Sequence, residues 1–314
     1  MVISPVNGVM GQKHPVVPSI LVKRGACART LVVAIAIGIV LLNSGCGLVE
    51  APILNPKGPI ALAEREILFR AVAIMMIVVI PVIFMTFWFA WRYRASNMKS
   101  RYEANWMSSK VDAGIWVVPA LIVIALGVHV WVYTHKFDPY KPLQSEKPLD
   151  VQVVAQDWKW LFIYPAQGVA TVNELAFPSD LPFRLMITSD TVMNSFFIPA
   201  LGGQIYAMAG MQTQLNLRAS EPGRFVGRNT QYSGRGFSDQ HFAAIAMTLA
   251  DFEAWVTQVR QSSNKLDAGT YAELAKPRAA HPVVHYSQVE SGLFDGIIRK
   301  YHASMNSHGA VVAK

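Results

Sequence analysis

The sequence predicts a membrane-anchored all-β protein: a hairpin of two transmembrane helices, then an exported β-sandwich, then a short helical appendix. Three observations carry this. Two long apolar runs, Ala71 to Trp91 and Ala113 to Thr134, contain no charge, short β-rich runs recur between residues 151 and 249, and helical periodicity returns from Asp251. With 314 residues, 52% of them apolar, the chain has room for both helices and one ordinary domain. The net charge of +8 does not indicate a nucleic-acid binder. The basic residues lie beside apolar runs, as in Lys23, Arg24 and Arg29 or Arg92, Arg94, Lys99 and Arg101, a pattern of membrane topology.

The segment 1–45 reads as a lipoprotein-type signal peptide. A basic region ends at Arg29, an apolar stretch runs from Leu31 to Leu42, and Asn43-Ser44-Gly45-Cys46 follows. Cleavage before Cys46 leaves a lipid anchor on that residue and an exported segment 46–66. Asn43 stands where such signals usually carry Leu, so an uncleaved third membrane helix stays open as the alternative. The stretch before Lys23 is long for a signal, which points to Met10 as an alternative start. Cys27 and Cys46 are the only cysteines, and both precede the folded domains, so neither a disulfide framework nor a cysteine metal site is expected downstream.

At ~1.5 Å per residue, each charge-free run is long enough for a ~30 Å hydrocarbon core, giving membrane helices over 67–91 and 113–134. Trp131 and Tyr133 suit the headgroup boundary, and Pro81 and Pro119 are expected to cause mild kinks. The loop 92–112 holds Arg92, Arg94, Lys99, Arg101 and Lys110 against Glu103 and Asp112, which marks the cytoplasmic side. Both ends of the mature chain then face outward, as the export signal independently requires.

A linker over 135–148 leads to a sandwich over 149–250. Its strand candidates are 151–155, 158–164, 183–188, 195–198, 212–217 and 243–249, separated by turn residues such as Pro178-Ser179-Asp180, Gly202-Gly203 and Glu221-Pro222-Gly223. In the appendix, 251–302, Asp251 is expected to cap a helix presenting Phe252, Trp255, Val256 and Val259 on one face, with further helical pieces at 271–275 and 294–301. The tail, 303–314, is expected to be disordered.

Several strings, in order, resemble subunit II of the haem-copper respiratory oxidases. They are Asp157-Trp158-Lys159-Trp160 with Tyr164-Pro165, Val192-Met193-Asn194-Ser195-Phe196-Phe197-Ile198-Pro199, and Gly227-Arg228-Asn229-Thr230-Gln231-Tyr232-Ser233-Gly234. The resemblance implies a cupredoxin-like sandwich. In the branch that oxidises cytochrome c, this domain holds two coppers bridged by two cysteine thiolates, since soft sulfur suits copper. Laid on this sequence, the family's first histidine falls on Asn194, the cysteines on Asn229 and Ser233, and the carbonyl donor on Gln231. The second histidine falls on Phe237 and the methionine on Gln240. The resemblance therefore implies lost copper ligands and excludes a cytochrome c oxidase subunit. The run from Gly203 to Gln212 and the aromatic-rich appendix resemble the ubiquinol-oxidising branch, of cytochrome bo type. A menaquinol-using relative stays open.

The resemblance further implies a proton-pumping quinol oxidase in a bacterial inner membrane, with haems and copper in subunit I and no cofactor in this chain. Its implied partners are subunits I, III and IV, membrane lipid, and quinol through the complex. Asp112 matches the family's acidic residue at the mouth of a proton-uptake channel; the plainer reading is a charge favouring the positive end of a helix dipole. Trp158 and Trp160 are read as alternating strand residues used for packing, His241 as a surface residue, His129 as an interfacial anchor, and Met193, Met208 and Met211 as turn or core residues. The competing function is a non-catalytic membrane lipoprotein for copper delivery or oxidase assembly.

Overall fold

The computed structural model describes residues 51–97, 108–143 and 147–312, with side chains to residue 302. The signal segment, with Cys27 and Cys46, lies outside the described residues, as do Lys99, Arg101 and Glu103 of the loop.

Two long helices open the described chain, α1 (Pro59–Arg92) and α2 (Ser109–Lys136), each continuous through its internal proline. Helix α1 starts well before its charge-free run and includes Glu64, Arg65, Glu66 and Arg70. At ~1.5 Å per residue its 34 residues exceed a ~30 Å hydrocarbon core, so its outer turns stand clear of the bilayer interior. Arg70 hydrogen-bonds Glu66 at 3.1 Å and the hydroxyl of Tyr133, tying α1 to α2 at that level. Only Ala61 and Ala63 of α1, and no residue of α2, are buried, which leaves the apolar sides of both for lipid or other helices.

The sandwich pairs two sheets. One has the order β12-β3-β2-β1-β5-β8, the other β4-β10-β9-β6-β7. The strands are β1 (Leu149–Gln156), β2 (Lys159–Tyr164), β3 (Val169–Val172), β4 (Glu174–Pro178) and β5 (Phe183–Ser189). They continue with β6 (Asn194–Phe197), β7 (Gln204–Ala207), β8 (Thr213–Leu217), β9 (Gly223–Asn229), β10 (His241–Met247) and, in the appendix, β12 (Val284–Tyr286). Between the sheets Trp160, Phe162, Phe196 and Phe242 pack ring against ring, with centroids 5.0 to 6.5 Å apart.

Strand β2 is buried on both faces. Trp160, Phe162 and Tyr164 enter this core, while Leu161 and Ile163 meet a second apolar cluster under the appendix. That is why, after Lys159, its sequence is continuously apolar rather than alternating. The appendix comprises α3 (Leu249–Arg260), β11 (Lys265–Leu266), α4 (Ala268–Leu274), β12, β13 (Gln288–Val289) and α5 (Leu293–Val312).

Several expectations need correction. Strands β3, β4, β7 and β9 were not among the expected runs; β7 and β9 alternate exposed and covered positions among polar residues, which mutes their apolar signal. Trp158 is not a strand residue. It sits in the β1–β2 turn at φ 64°, a backbone state bulky residues rarely adopt. Leu249 starts a helix instead of ending a strand, and the cap of α3 is Thr248, not Asp251. The Thr248 hydroxyl accepts the Asp251 amide at 3.2 Å and donates to the Asp251 carboxylate at 2.6 Å. Helix α5 continues to Val312, past the expected end of order at His302.

The sandwich holds the membrane hairpin at two places. The Lys57 amide donates to the Ala200 carbonyl at 2.8 Å and the Ala61 amide to the Leu201 carbonyl at 3.1 Å. Beyond α2, the Asn216 side chain donates to the Pro139 carbonyl at 2.8 Å.

Candidate functional site

Antiparallel pairing of β6 with β9 brings Asn194, at the start of one strand, near Asn229, at the end of the other. The chain then loops through Ser233, passes a single 3₁₀ turn at Phe237–Asp239, and returns with Gln240 immediately before β10. Four side chains thus converge. The Asn229 amide nitrogen donates to Asn194 Oδ1 at 2.7 Å, to Gln240 Oε1 at 2.9 Å and to Ser233 Oγ at 3.1 Å. Ser233 donates to Gln240 Oε1 at 2.9 Å, and Gln240 Nε2 donates to Asn194 Oδ1 at 3.0 Å.

Outward from this knot, Asn229 Oδ1 accepts the Ser195 and Gln231 amides at 2.8 and 3.0 Å, and Asn194 Nδ2 donates to the Val192 carbonyl at 2.8 Å. Asn194, Asn229 and Gln240 are almost wholly buried. Burial of so many amide groups is tolerated because each finds a partner. Trp158 lies over the loop: its indole N–H donates to the Ser233 carbonyl at 3.0 Å, and its ring abuts Gly234 and Gly236, where a side chain on Gly236 would collide with it.

The donors here do not fit a thiolate-bridged copper pair. The cluster offers amides and one hydroxyl, whose lone pairs and N–H groups already serve one another, and no sulfur or imidazole is among them. Among the described residues no group of three or more His, Cys, Asp or Glu could hold a metal ion. The structure gathers Asn194, Asn229, Ser233 and Gln240; Gln231 contributes its backbone amide, and Phe237 stands aside, its ring 5.7 Å from that of Tyr232. Sequence reasoning missed the supporting shell of Ser189, Ser195, the Val192 carbonyl and the Gln156 carbonyl. Backbone partners leave no mark in residue spacing.

Elsewhere, Asp112 is exposed in the first turn of α2, its amide bonded to the Ser108 carbonyl at 3.0 Å. His241 is exposed, Trp160 is fully buried, and His129 lies 4.6 Å from the Tyr133 ring. Met193 and Met211 are exposed and Met208 half-buried in the turn between β7 and β8.

Charged groups fasten the appendix to the sandwich. Asp190, nearly buried, accepts the Tyr271 hydroxyl at 2.7 Å and the Lys300 ammonium at 2.8 Å. Burial, with the Asp190 charge, pushes the Tyr271 hydroxyl above its ordinary value. Glu174 Oε1 meets His285 Nε2 at 2.9 Å and the Trp255 indole N–H at 3.1 Å. Lys159, excluded from solvent, donates to the Lys276 carbonyl at 2.8 Å, and burial lowers its ammonium below the usual lysine value.

Comparison with known proteins defines the class first. Residues 121–246 match the family model for the periplasmic domain of cytochrome c oxidase subunit II, and residues 260–305 match the aromatic-rich motif of the same oxidases. The chain is 51% identical over 263 residues to cytochrome bo(3) ubiquinol oxidase subunit 2 of Pseudomonas putida, covering 83% of each chain. It is 51% identical over 269 residues to ubiquinol oxidase subunit 2 of Acetobacter aceti, covering 84% of this chain and 86% of that one. Quinol oxidase subunit 2 of Bacillus anthracis is 33% identical over 246 residues, covering 77% and 84%. The chain belongs to the haem-copper oxidase subunit II family, in its ubiquinol oxidase subunit 2 branch.

Proposed function

We propose that this chain is the redox-silent subunit II of a proton-pumping oxidase that passes electrons from quinol to oxygen, with the haems and the remaining copper held by subunit I. The observation that carries this reading is the hydrogen-bonded cluster of Asn194, Asn229, Ser233 and Gln240, a donor set unsuited to a thiolate-bridged copper pair. Without a relay in the exported domain, electrons enter from the membrane, as a quinol donor requires. The work of the chain is mechanical: α1 and α2 clamp subunit I and the sandwich caps its outer face, with subunits III and IV completing the complex. The complex sits in the bacterial inner membrane, the sandwich on the periplasmic side and a lipid on Cys46 adding a second anchor.

Asp112 is assigned to the entrance of the proton-uptake path. Its support is exposure in the first turn of α2, at the end nearer the basic loop, where a carboxylate can collect protons from water.

Purification of the complex from membranes tests the reading. Oxygen uptake is expected with quinol and absent with reduced cytochrome c. Sustained turnover on cytochrome c, or recovery of this chain without a haem-bearing partner, would contradict it, the latter favouring an assembly or copper-delivery lipoprotein.

A further inference from the structure

We propose that the crevice between the outer ends of α1 and α2 and the underside of the sandwich holds the headgroup of a zwitterionic phospholipid with a primary ammonium. The inference rests on the bilayer placement of the two helices and not on the redox role of the complex. The crevice encloses about 360 Å³. Ile60 and Ile67 of α1, Phe137 just past α2, and Leu215 of β8 give it apolar walls, while Glu64, Lys136, Asp138 and Lys141 also line it.

Position is the first argument. The charge-free run of α1 begins at Ala71 and that of α2 ends at Thr134, so the lining residues on both helices lie outward of the hydrocarbon, from its edge at Ile67 and Lys136 toward the water side at Glu64 and Ile60. The second argument is charge. Two ammonium groups and two carboxylates line one cavity, yet none of the four pairs with another, although each is free of a competing ion pair among the described residues. Lys136 rests over the Phe137 ring at 5.3 Å, and Lys141 donates to the His135 carbonyl at 2.5 Å. Glu64 Oε1 accepts the Gly203 amide and Asp138 Oδ1 the Tyr140 amide, both at 2.9 Å.

Opposite charges that line one cavity without pairing suit a ligand that is itself a dipole. A phosphate would meet the lysines and an ammonium the carboxylates, with the glycerol end against the apolar wall. An anionic headgroup lacking an ammonium would leave Glu64 and Asp138 facing a like charge. The walls are also fixed beforehand, by the Ala61 to Leu201 and Asn216 to Pro139 hydrogen bonds, so little ordering is needed on binding.

The test uses the assembled complex, stripped with detergent and equilibrated with vesicles of equal phosphatidylethanolamine and phosphatidylglycerol, then read by native mass spectrometry. The wild type is expected to retain phosphatidylethanolamine in preference, and excess inorganic phosphate should not displace it. Lys136→Gln should weaken retention about fivefold, the worth of one cation at a headgroup surface. Glu64→Gln should shift the preference toward phosphatidylglycerol, and Lys265→Gln, far out on the appendix, should change nothing. Should a variant fail to assemble, the wild-type competition between the two lipids decides alone. Equal retention of both lipids, displacement by phosphate, or cross-linking of the crevice to a neighbouring subunit would overturn the proposal.

Discussion

Gln240 closes the buried amide knot, and its removal gives the clearest residue-scale prediction. Gln240→Ala withdraws an acceptor from Asn229 and Ser233 and a donor from Asn194, stranding polar groups that water cannot reach. The expected loss is roughly 1 to 3 kcal/mol of stability, read as a lower denaturant midpoint for the exported domain. An unchanged midpoint would mean the cluster is hydrated. The positions of this site were legible beforehand because its strings keep family order, and Asn194, Asn229, Ser233 and Gln240 do meet. What the replacements do to one another was not legible. An amide in a sequence carries no sign of whether it faces water or a partner 2.7 Å away, and Trp158, read as a strand residue, became a lid over the Ser233 loop only through a turn with positive φ.

At the scale of elements, β9 and β10 leave no room for a side chain where Gly227 faces Phe242. A side chain at Gly227 would enter the Phe242 ring, which is itself hemmed in by Trp160, Phe162 and Phe196. Gly227→Ala is therefore expected to cost about 1 to 3 kcal/mol through overpacking, measurable by thermal melting. Glu174 joins β4 to the appendix through both His285 and Trp255. Glu174→Ala should leave the sandwich folded but speed proteolytic cutting in residues 250 to 302; unaltered cleavage would show that apolar packing alone holds the appendix. The long helices and the strand through Trp160 were plain in the sequence because their apolar runs are unbroken, and the strand through Phe183 because Phe183, Leu185 and Ile187 recur at every second position. Strand β9 was not, because Arg224 and Arg228 point outward from a strand recognisable only by its pairing with β10 on one side and β6 on the other.

For the whole molecule, burial raises the hydroxyls of Tyr164, Tyr271, Tyr286 and Tyr301 above the ordinary tyrosine value of 10.0. The folded chain then holds protons that the unfolded chain releases, so this share of stability is intact below pH 10 and falls as pH rises above it. Alkaline unfolding should accompany a cooperative burst of tyrosinate absorption; gradual ionisation without unfolding would contradict the burial. Asp112→Asn is expected to slow turnover or lower the proton-pumping ratio while leaving haem content intact, and equal rates and ratios would leave Asp112 as a helix-end charge only. The central claim is that the exported domain carries no redox centre, and the metal content and near-infrared spectrum of the assembled oxidase test it most directly. The account predicts quinol-driven oxygen uptake with no dinuclear copper signal and no copper beyond that of subunit I; two further coppers bound to this chain, with their near-infrared band, would contradict it.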